Sequence, residues 1–340
     1  MIWIACSGTA GHVHPSYQIA KYLSRQHQKV VWVGAHGMET DIVKDMPIVH
    51  LPMRPFRSAG LLNKLRLPLD LLWSFFILLK LLCQQRPKCV CLMGSYVTIP
   101  VGLIARLFRI PIWIFEQNTM LGMANKIFQK NSRFIFAGLP LSVHDERCKW
   151  INNPVKSGIV EKNAYTPSRP IKLLVTGGSR GALSLNTELP KVLAQLPGKF
   201  EIVHVSGRGH LAATQHAYKK SGVAARIEEY VDLSEFYQWA DLIICRSGAM
   251  TVTECAVCSL PAIFVPYPYA TDDHQTENAK YLVDRGGAML VGYNKHFKAD
   301  MYKCLESMNA ELLYQMHQYL RSVQADVHWY EIDSALRELA

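Results

Sequence analysis

Short, almost entirely apolar runs alternate with longer amphipathic stretches along the whole chain. In the first half these runs are Ile2–Ala5, Val30–Gly34, Cys89–Met93, Ile112–Phe115 and Phe134–Phe136. In the second half they are Lys172–Thr176, Glu201–Val205, Arg226–Glu229, Leu242–Cys245, Ala262–Val265 and Ala288–Val291. Runs without polar alternation are typical of strands that are covered on both faces. With helical stretches between them, such as Tyr17–Gln26 and Leu71–Gln85, they predict an α/β protein with doubly wound parallel sheets.

The two halves of the chain begin in the same way, with an apolar run, a glycine-rich turn and a helical stretch. The turns are Gly8–Gly11 and Gly177–Gly181. Because the chain has 340 residues and a domain takes about 150, we predict two Rossmann-like domains, at 1–153 and 154–323. The remaining residues, from about 324 to 340, are expected to form a helix that packs back on the first domain.

Composition adds a charge asymmetry to this picture. The net charge is +10, yet residues 1–150 hold 18 Lys and Arg against 7 Asp and Glu, while residues 151–340 hold 19 against 20. The hydrophobic share of 49% is enough for two buried cores and excludes wholesale disorder. A basic excess in one half points to a polyanionic partner, which is nucleic acid, an anionic membrane surface or a phosphate-rich ligand.

The segment from Arg54 to Lys88 is both basic and strongly apolar. It carries seven Lys and Arg and one acidic residue, Asp70, around a run rich in Leu, Phe and Trp. This composition fits a peripheral membrane patch, or an ordinary buried helix with basic flanks. The uninterrupted apolar part, Leu71–Leu79, has nine residues, whereas a bilayer span needs roughly 20, so no transmembrane helix is predicted. We also expect no signal peptide, because Met1–Ala5 leads directly into a glycine turn.

Nine cysteines, most of them in apolar runs, indicate a reducing compartment. Cys255 and Cys258 form the single C-x-x-C pair, but no second pair and no histidine pair stands at a spacing typical of zinc sites. We therefore expect packing cysteines and no metal site.

The second glycine-rich turn, Gly177–Gly181, is suited to a diphosphate. Between a parallel strand and a helix, such a turn presents backbone N–H groups at the positive end of the helix, and Ser179 adds a hydroxyl donor. Neither the spacing of an ATP-type P-loop nor the G-x-G-x-x-G of NAD sites is present. A tight turn without a ligand is the alternative.

Two further strand–helix junctions of the second half carry polar side chains. In Arg246–Glu254, the carboxylate of Glu254 can bind sugar hydroxyls, as acidic residues bind ribose, or can simply complement the helix dipole. After the next strand, His274 and Gln275 open a helix and offer neutral donors and acceptors for sugar hydroxyls, unless the preceding aspartates only cap that helix.

In the first half, His12 follows the glycine turn, and a histidine at a loop–helix junction can act as a general base. His14 could share this role, and both could equally be packed or solvated side chains. Polar residues also follow two strands of this half, in Met93–Thr98 and in Glu116–Asn125, at the strand ends where open α/β sheets bind ligands.

Six motifs in this order resemble those of the MurG family of peptidoglycan glycosyltransferases, over almost the whole chain. They are Gly8-Thr9-Ala10-Gly11-His12-x-x-Pro15, Met93-Gly94-Ser95-Tyr96, Glu116-Gln117-Asn118-x-x-x-Gly122-x-x-Asn125, Gly177-Gly178-Ser179-Arg180-Gly181-Ala182-x-x-x-Asn186, Arg246-Ser-Gly-Ala-Met-Thr-Val-Thr-Glu254 and His274-Gln275-x-x-Asn278-Ala279. Ala10 and Ser95 replace family glycines, and Lys156 stands where the family usually has Arg.

The resemblance implies a GT-B fold, in which two Rossmann-like domains face a cleft. It implies an inverting glycosyltransferase that moves GlcNAc from UDP-GlcNAc to the C4 hydroxyl of MurNAc in lipid I, an undecaprenyl-diphosphate acceptor, and so forms lipid II for peptidoglycan. The acceptor is then expected on the first domain and UDP-GlcNAc mostly on the second, with no cofactor and no catalytic metal. The expected partners are an anionic membrane surface and cell-wall synthesis proteins instead of nucleic acid, for a peripheral protein at the cytoplasmic face of the bacterial inner membrane.

The resemblance also assigns residues to these roles. His12 is the expected base, Tyr96 and Asn125 are expected on the acceptor side, and Thr9 and Asn118 at the acceptor side or the cleft. The residues expected to bind UDP-GlcNAc are Thr9, Ala10, Gly11, Asn118, Lys156, Ser179, Val231, Ala249, Met250, Thr251, Glu254, His274 and Gln275. Among them, the diphosphate is assigned to Ser179, the ribose to Glu254, the GlcNAc to Gln275 with His274 beside it, and the border of the uracil to Val231.

Two other functions stay open on the sequence. A UDP-GlcNAc 2-epimerase or another GT-B enzyme would share the second-half motifs, but an epimerase needs no lipid acceptor and would not explain the first half. A non-catalytic scaffold bound to membrane or nucleic acid would explain the basic half, but not the polar site residues in both halves. No basic stretch with interleaved aromatics, typical of nucleic-acid surfaces, is present.

Overall fold

The computed structural model describes residues 1–54, 61–142, 145–162, 165–323 and 325–339, with the backbone alone at 61–65 and 271. The chain divides into two compact units. Unit 1 comprises Met1–Lys156 and Val327–Ala340, and unit 2 comprises Ser157–Asp326. Lys156, which the sequence places in the second domain, is therefore the last residue of the first segment of unit 1.

A parallel sheet of seven strands forms the centre of unit 1, as far as the structure describes it. The strands are β1 (Ile2–Ala5), β2 (Val30–Gly34), β3 (Ile48–His50), β4 (Cys89–Leu92), β5 (Ile112–Glu116), β6 (Phe134–Ala137) and β7 (Cys148–Trp150). Their order across the sheet is β3-β2-β1-β4-β5-β6-β7. Every residue of β1, β2, β4 and β5 is buried, which confirms the apolar runs as strands covered on both faces. The edge strands β3 and β7 were not predicted, because each has three half-buried residues and no continuous apolar run.

Helices cover this sheet, and two of them are longer than the sequence predicts. The helices are α1 (Ala10–Arg25), α2 (Glu39–Ile42), α3 (Leu61–Gln84), α4 (Thr98–Leu107) and α5 (Met123–Phe128), which is followed by a 3₁₀ turn at Gln129–Asn131. Because α1 begins directly after the glycine turn, His12 lies in its first turn. Helix α3 continues through Pro68, so the loss of one backbone N–H does not end it and the apolar helix is longer than the predicted nine-residue run.

Unit 2 repeats the same strand order in a parallel sheet, which has six strands in its described part. The strands are β8 (Ile171–Thr176), β9 (Phe200–Val205), β10 (Arg226–Glu228), β11 (Leu242–Cys245), β12 (Ala262–Phe264) and β13 (Ala288–Leu290), in the order β10-β9-β8-β11-β12-β13. The helices are α6 (Leu183–Thr187), α7 (Leu189–Leu193), α8 (Leu211–Ser221), α9 (Ser234–Trp239), α10 (Ala249–Val257), α11 (His274–Val283), α12 (Phe297–Ser307) and α13 (Ala310–Arg321), with a 3₁₀ turn at Thr271–Asp273. The predicted pair of parallel α/β domains is confirmed.

A last helix, α14 (Trp329–Arg337), packs against α1 of unit 1. The ring of Trp329 stacks on Tyr22 with centroids 4.2 Å apart, and the Tyr22 hydroxyl donates to Asp333 at 2.9 Å. Ile332 is buried in the apolar cluster beneath. The end of the chain therefore covers one face of the first sheet.

In each unit the strand order reverses once, between β1 and β4 and between β8 and β11. Open parallel sheets bind ligands at this point, where the loops that follow the two strands diverge. The loops concerned are those after β1, β4, β8 and β11, and they contain four of the six motifs found in the sequence. The topology therefore places four of the six motifs at the switch points, whereas the other two stand after the neighbouring strands β5 and β12.

Candidate functional site

His12 lies at the switch point of unit 1, in the first turn of α1. Its backbone N–H donates to Thr9 O at 3.0 Å, which closes the first turn. Its Nδ1 lies 3.1 Å from Oε1 of Gln117, a buried residue that follows β5. The imidazole is half-buried, so it is held on one side and can still meet a substrate.

The N-terminus of α1 is suited to an anion. Thr9 is the N-cap residue in an extended conformation, and its side chain makes no capping hydrogen bond. No acidic residue lies in the first turn of the helix, and Thr9 and Gly11 are exposed. The backbone N–H groups of such a turn carry partial positive charge, which favours a phosphate.

The loop after β4 is tied to the loop after β1. The backbone N–H of Ser7 donates to Ser95 Oγ at 3.0 Å, and Ser7 Oγ lies 3.0 Å from the hydroxyl of Tyr96. Burial raises the pKa of Tyr96, so its hydroxyl stays protonated. Ser95, which stands where the MurG motif has glycine, therefore accepts a hydrogen bond from the loop after β1.

Glu116 organises the loop after β5. Its Oε1 accepts from the backbone N–H and from Nδ2 of Asn118 at 3.3 and 2.9 Å. Its Oε2 accepts from the Gly122 N–H at 2.8 Å and from Asn125 Nδ2 at 3.0 Å. Asn118 is half-exposed, whereas Asn125 is fully buried and also donates to Phe115 O. Asn125, which the sequence predicts on the acceptor side, thus stabilises the loop after β5 from the interior of unit 1.

In unit 2, steric contacts require glycine at two positions of the loop after β8. A Cβ atom on Gly177 would lie 2.2 Å from the backbone N of Ala182. Gly181 has a φ of +71°, and a Cβ there would lie 2.3 Å from Ser206 O. Ser179 is half-exposed and its carbonyl accepts from the Arg208 N–H at 3.3 Å. The loop is therefore a tight backbone cradle with its hydroxyl at the surface.

Buried polar side chains that are linked by hydrogen bonds lie next to this loop. Asn186 Nδ2 donates to Ser206 O at 3.0 Å, and Asn186 Oδ1 lies 3.0 Å from Nε2 of His204. The other ring nitrogen of His204 contacts the Tyr218 hydroxyl at 3.0 Å. Burial lowers the pKa of His204 to about 3, so it is neutral and shares hydrogen bonds without charge. Asn186 thereby has a structural role in its motif.

The N-terminus of α10 follows β11, the second of the two strands at the switch point of unit 2. Gly248 is its extended N-cap residue without a side-chain capping bond, and no acidic residue lies in the first turn. That turn is Ala249, Met250 and Thr251, which places their N–H groups at the positive end of the helix. The buried hydroxyl of Ser247 lies directly before it, without a hydrogen-bond partner among the described residues.

Glu254 lies further along α10, and its pKa is raised. The buried Tyr237 hydroxyl donates to Glu254 Oε2 at 2.6 Å. Burial raises the pKa of Glu254 to about 7, although the hydrogen bond from Tyr237 acts in the opposite direction. The side chain is therefore partly protonated at neutral pH and is oriented by Tyr237.

The raised pKa of Glu254 predicts that the free energy of unfolding depends on pH. Because the pKa of Glu254 is raised in the folded state from an ordinary value of 4.5, the folded protein binds more protons than the unfolded chain between those values. The free energy of unfolding of the natural protein should therefore fall relative to Glu254→Gln as the pH rises from 5 to 7, by about 2 kcal/mol. Denaturant unfolding of both proteins across this range measures the difference, and parallel curves would contradict it.

The loop after β12 is held by Arg246. Its guanidinium donates to the carbonyls of Val265 and Pro266 at 2.9 and 2.7 Å, and to Ser184 Oγ at 3.1 Å. Gln275 Oε1 accepts from the Tyr267 N–H at 2.8 Å, so Gln275 is oriented by the same loop. His274 is the first residue of α11, and the N-cap residue of that helix makes no side-chain capping bond.

Two further predicted residues belong to other segments of the chain. Val231 lines an open groove of about 1010 Å³ together with Phe236 and Trp239 of α9. Lys156 is exposed at the end of the first segment of unit 1. Within the described ranges, no three His, Cys, Asp or Glu side chains are grouped so that they could hold a metal ion.

An exposed apolar surface, here called the apolar patch, lies on three neighbouring helices of unit 1. Helix α4 packs against α3 and α5. Their exposed apolar side chains are Leu69, Leu72, Trp73 and Phe76 of α3, Leu103 and Leu107 of α4, and Met123 and Ile127 of α5. Leu69 and Trp73 are 65% and 64% exposed. Helix α3 buries Leu78 against the sheet, so the patch is its opposite face.

By length and composition, Arg66–Gln84 could cross a membrane, with 17% of its apolar window buried. The sequence predicts no such helix because it counts only the run after Asp70. Of the basic residues predicted around it, Arg57 lies outside the described residues, and only the backbone of Lys64 is described. Arg66 and Lys80 are exposed on the helix.

The structure adds three residues that the sequence prediction did not select. Gln117 contacts His12, Glu116 organises the adjoining loop, and Tyr237 orients Glu254. Gln117 and Glu116 stand inside one of the six motifs, but nothing in the local sequence distinguishes which of its side chains face a ligand. Tyr237 carries no sequence signal, because its partner is 17 residues away on another helix.

Known families and proteins resemble the chain over most of its length. Residues 2–136 match the glycosyltransferase family 28 N-terminal domain, and residues 172–327 match the family 28 C-terminal domain. A curated protein of Pseudomonas paraeruginosa is 37% identical over 335 residues, 95% of this chain and 94% of that protein. One of Pseudoalteromonas translucida is 37% identical over 297 residues, 85% and 83% of the two chains. Both are named UDP-N-acetylglucosamine–N-acetylmuramyl-(pentapeptide) pyrophosphoryl-undecaprenol N-acetylglucosamine transferase.

Solved structures agree with these relatives. The crystal structure of Acinetobacter baumannii MurG has a TM-score of 0.82 and 31% identity, and the match covers 99% of each chain. The glycosyltransferase of kitacinnamycin has a TM-score of 0.75 at 15% identity, which shows a shared fold alone.

Proposed function

Because the chain belongs to the MurG group of glycosyltransferase family 28, we propose that it transfers GlcNAc from UDP-GlcNAc to the C4 hydroxyl of MurNAc in lipid I and so forms lipid II. The chain is a glycosyltransferase with the GT-B fold. The observation that carries the proposal is the His12–Gln117 contact at an uncapped helix N-terminus, because it puts a proton acceptor beside backbone N–H groups that can bind a phosphate.

His12 is the base of this reaction. Its Nε2 takes the proton of the C4 hydroxyl while that oxygen attacks the anomeric carbon of GlcNAc. The bond from this carbon to the β-phosphate oxygen of UDP breaks in the same displacement, which inverts the configuration. Tyr96, whose hydroxyl is held by Ser7, borders the acceptor, and Asn125 supports its loop through Glu116.

The leaving UDP carries the negative charge that develops during transfer. The loop Gly177–Gly181 with Ser179 and the N–H groups of Ala249–Thr251 supply donors and helix dipoles for the diphosphate. Asn186 and Arg246 hold neighbouring segments of unit 2 through hydrogen bonds to Ser206 O and Val265 O.

The remaining contacts with UDP-GlcNAc are assigned from the resemblance of the motifs to those of the family. Glu254, oriented by Tyr237, binds the ribose hydroxyls, and Val231 borders the uracil. Gln275 and His274 bind the GlcNAc. The other residues assigned to the donor are Thr9, Ala10, Gly11, Asn118 and Lys156.

The apolar patch binds the membrane that carries the acceptor. A lipid-linked substrate requires an enzyme at a bilayer surface, and the patch offers Trp, Phe and Leu beside the exposed cations Arg66 and Lys80. We place the protein peripherally at the cytoplasmic face of the bacterial inner membrane. There it acts in cell-wall synthesis, on which cell shape and cell division depend. Its protein partners are other cell-wall synthesis proteins.

Replacement of both Trp73 and Phe76 by serine should weaken binding to phosphatidylglycerol vesicles at least about tenfold, because burial of each side chain in the interface contributes roughly 1.5–3 kcal/mol. Tyr314→Ser, at a half-exposed aromatic residue of α13, is the matched control and should bind as the natural protein does. Vesicle sedimentation measures the effect. Equal binding by all three proteins would exclude the apolar patch as the membrane surface.

Incubation with labelled UDP-GlcNAc and a lipid I analogue tests the proposed reaction. We expect a labelled lipid-linked disaccharide and stoichiometric release of UDP. If UDP-GlcNAc binds but no disaccharide forms, the proposed acceptor is wrong. Conversion of UDP-GlcNAc to a 2-epimer without acceptor would instead favour the epimerase alternative.

A further inference from the structure

The side chain of Gln117 ends at the imidazole of His12. Its Oε1 lies 3.1 Å from His12 Nδ1, and the residue is 2% exposed. We propose that Gln117 is a positioning residue, which holds the imidazole with its proton on Nδ1 and so leaves Nε2 as the proton acceptor. This role rests on the proposed function of His12 as the base.

The orientation of the Gln117 amide follows from its second contact. Its Nε2 lies 3.5 Å from the carbonyl oxygen of Met93, a group that can only accept a hydrogen bond. The amide NH₂ group therefore faces Met93, and the amide oxygen faces His12. Because an amide oxygen can only accept, His12 Nδ1 must donate. A neutral imidazole has one N–H, so Nε2 carries the free lone pair.

The surroundings of Gln117 hold this geometry in place. Asn153 Nδ2 donates to the Gln117 carbonyl at 3.0 Å, which fixes the backbone of Gln117 after β5. On another side of the imidazole, Gly94 turns with a φ of +83°, and a Cβ there would lie 3.7 Å from His12 Cε1 and 3.2 Å from Asn125 Nδ2. The imidazole is thus held by a hydrogen bond at Nδ1, and the turn at Gly94 leaves room beside its Cε1.

An amide at this position orients the base without adding charge. The neighbouring carboxylate of Glu116 accepts four hydrogen bonds, from Asn118, Gly122 and Asn125. A carboxylate in place of Gln117 would keep the acceptor for Nδ1–H and would also stabilise the imidazolium. The two effects of Gln117, orientation and neutrality, can therefore be separated by substitution.

Two variants separate them. Gln117→Met keeps the length of the side chain but removes the acceptor, so kcat should fall about 10²-fold as the imidazole loses its orientation. Its KM for UDP-GlcNAc should stay within about twofold. Gln117→Glu keeps the orientation, so the plateau of kcat at high pH should be retained. The acidic limb of its pH profile should move upward by about one pH unit, since a carboxylate favours the protonated ring.

A direct measurement of the tautomer accompanies the kinetics. Long-range ¹H–¹⁵N spectra of protein labelled in histidine, with the His12 signals identified by the His12→Ala spectrum, should show the Nδ1–H form in the natural protein. The Nε2–H form should appear in Gln117→Met. Gln195→Glu is the matched control, because Gln195 is an exposed glutamine bonded to Lys191 O. It should change neither the tautomer nor the pH profile.

The outcomes distinguish this inference from the proposed function. If His12→Ala keeps its turnover, the role of His12 fails and that of Gln117 with it. If His12→Ala loses turnover while Gln117→Met keeps both turnover and the Nδ1–H form, Gln117 has no positioning role and the proposed function stands. An unshifted pH profile in a folded Gln117→Glu would also overturn the inference.

Discussion

Replacement of His12 by alanine is expected to lower kcat for GlcNAc transfer by about 10²–10⁴-fold, the usual contribution of a positioned general base. The KM for UDP-GlcNAc should change little, because the loop Gly177–Gly181 and the N-terminus of α10, which we propose bind the diphosphate, belong to unit 2. Steady-state kinetics with a lipid I analogue, together with calorimetric titration of UDP, measure the two effects separately.

His14→Ala is the matched control for this experiment. His14 lies two residues further along the same helix and could share the role of the base on sequence grounds alone. We expect His14→Ala to keep turnover within a few-fold, because the contact with the buried Gln117 belongs to His12. The reverse pattern, with turnover lost in His14→Ala and kept in His12→Ala, would transfer the role to His14.

Gly181→Ala is expected to weaken UDP-GlcNAc binding by about 10²-fold and to lower the free energy of unfolding by about 3 kcal/mol. Two causes add at this position. The φ of +71° strains any side chain, and the new Cβ would lie 2.3 Å from the backbone oxygen of Ser206. Backbone cannot move aside as a flexible side chain does, so the loop Gly177–Gly181 itself must shift. Calorimetric titration and denaturant unfolding measure both effects.

Gly222→Ala isolates the strain from the collision. Gly222 has a similar φ of +66° at the end of α8, but nothing lies within 4 Å of a Cβ built on it. We expect a cost of about 1 kcal/mol in stability and an unchanged affinity for UDP-GlcNAc. Equal losses in the two variants would show that the contact with Ser206 does not shape the donor loop.

Local patterns were sufficient to predict most of the fold. The central strands β1, β5, β8 and β11 are apolar runs because both of their faces are covered, and that burial appears directly in the sequence. Helix α3 shows where such patterns stop. Pro68 and Asp70 interrupt the run, yet the helix continues through both, because packing of one face on the sheet outweighs a local break.

The candidate site was predicted less completely than the fold. The glycine turns are visible because Gly177 and Gly181 have no substitute where backbone approaches backbone. Asn125 is predicted on the acceptor side, and only the structure shows that its side chain is buried and bonded to Glu116. A motif shows that polar residues share a loop, but it does not show which of them point inward.

The two parallel sheets, the positions of the glycine turns and the position of His12 after the first turn can all be predicted from the amino-acid sequence. These follow from hydrophobic periodicity and from backbone geometry, which act over a few residues. The hydrogen-bond partners of the site residues, in contrast, depend on the tertiary structure. His12 meets Gln117 across 105 positions of sequence, and Asn186 meets His204 across 18. The order of the strands brings the two members of each pair together. That order is set by the packing of whole sheets and not by any local pattern.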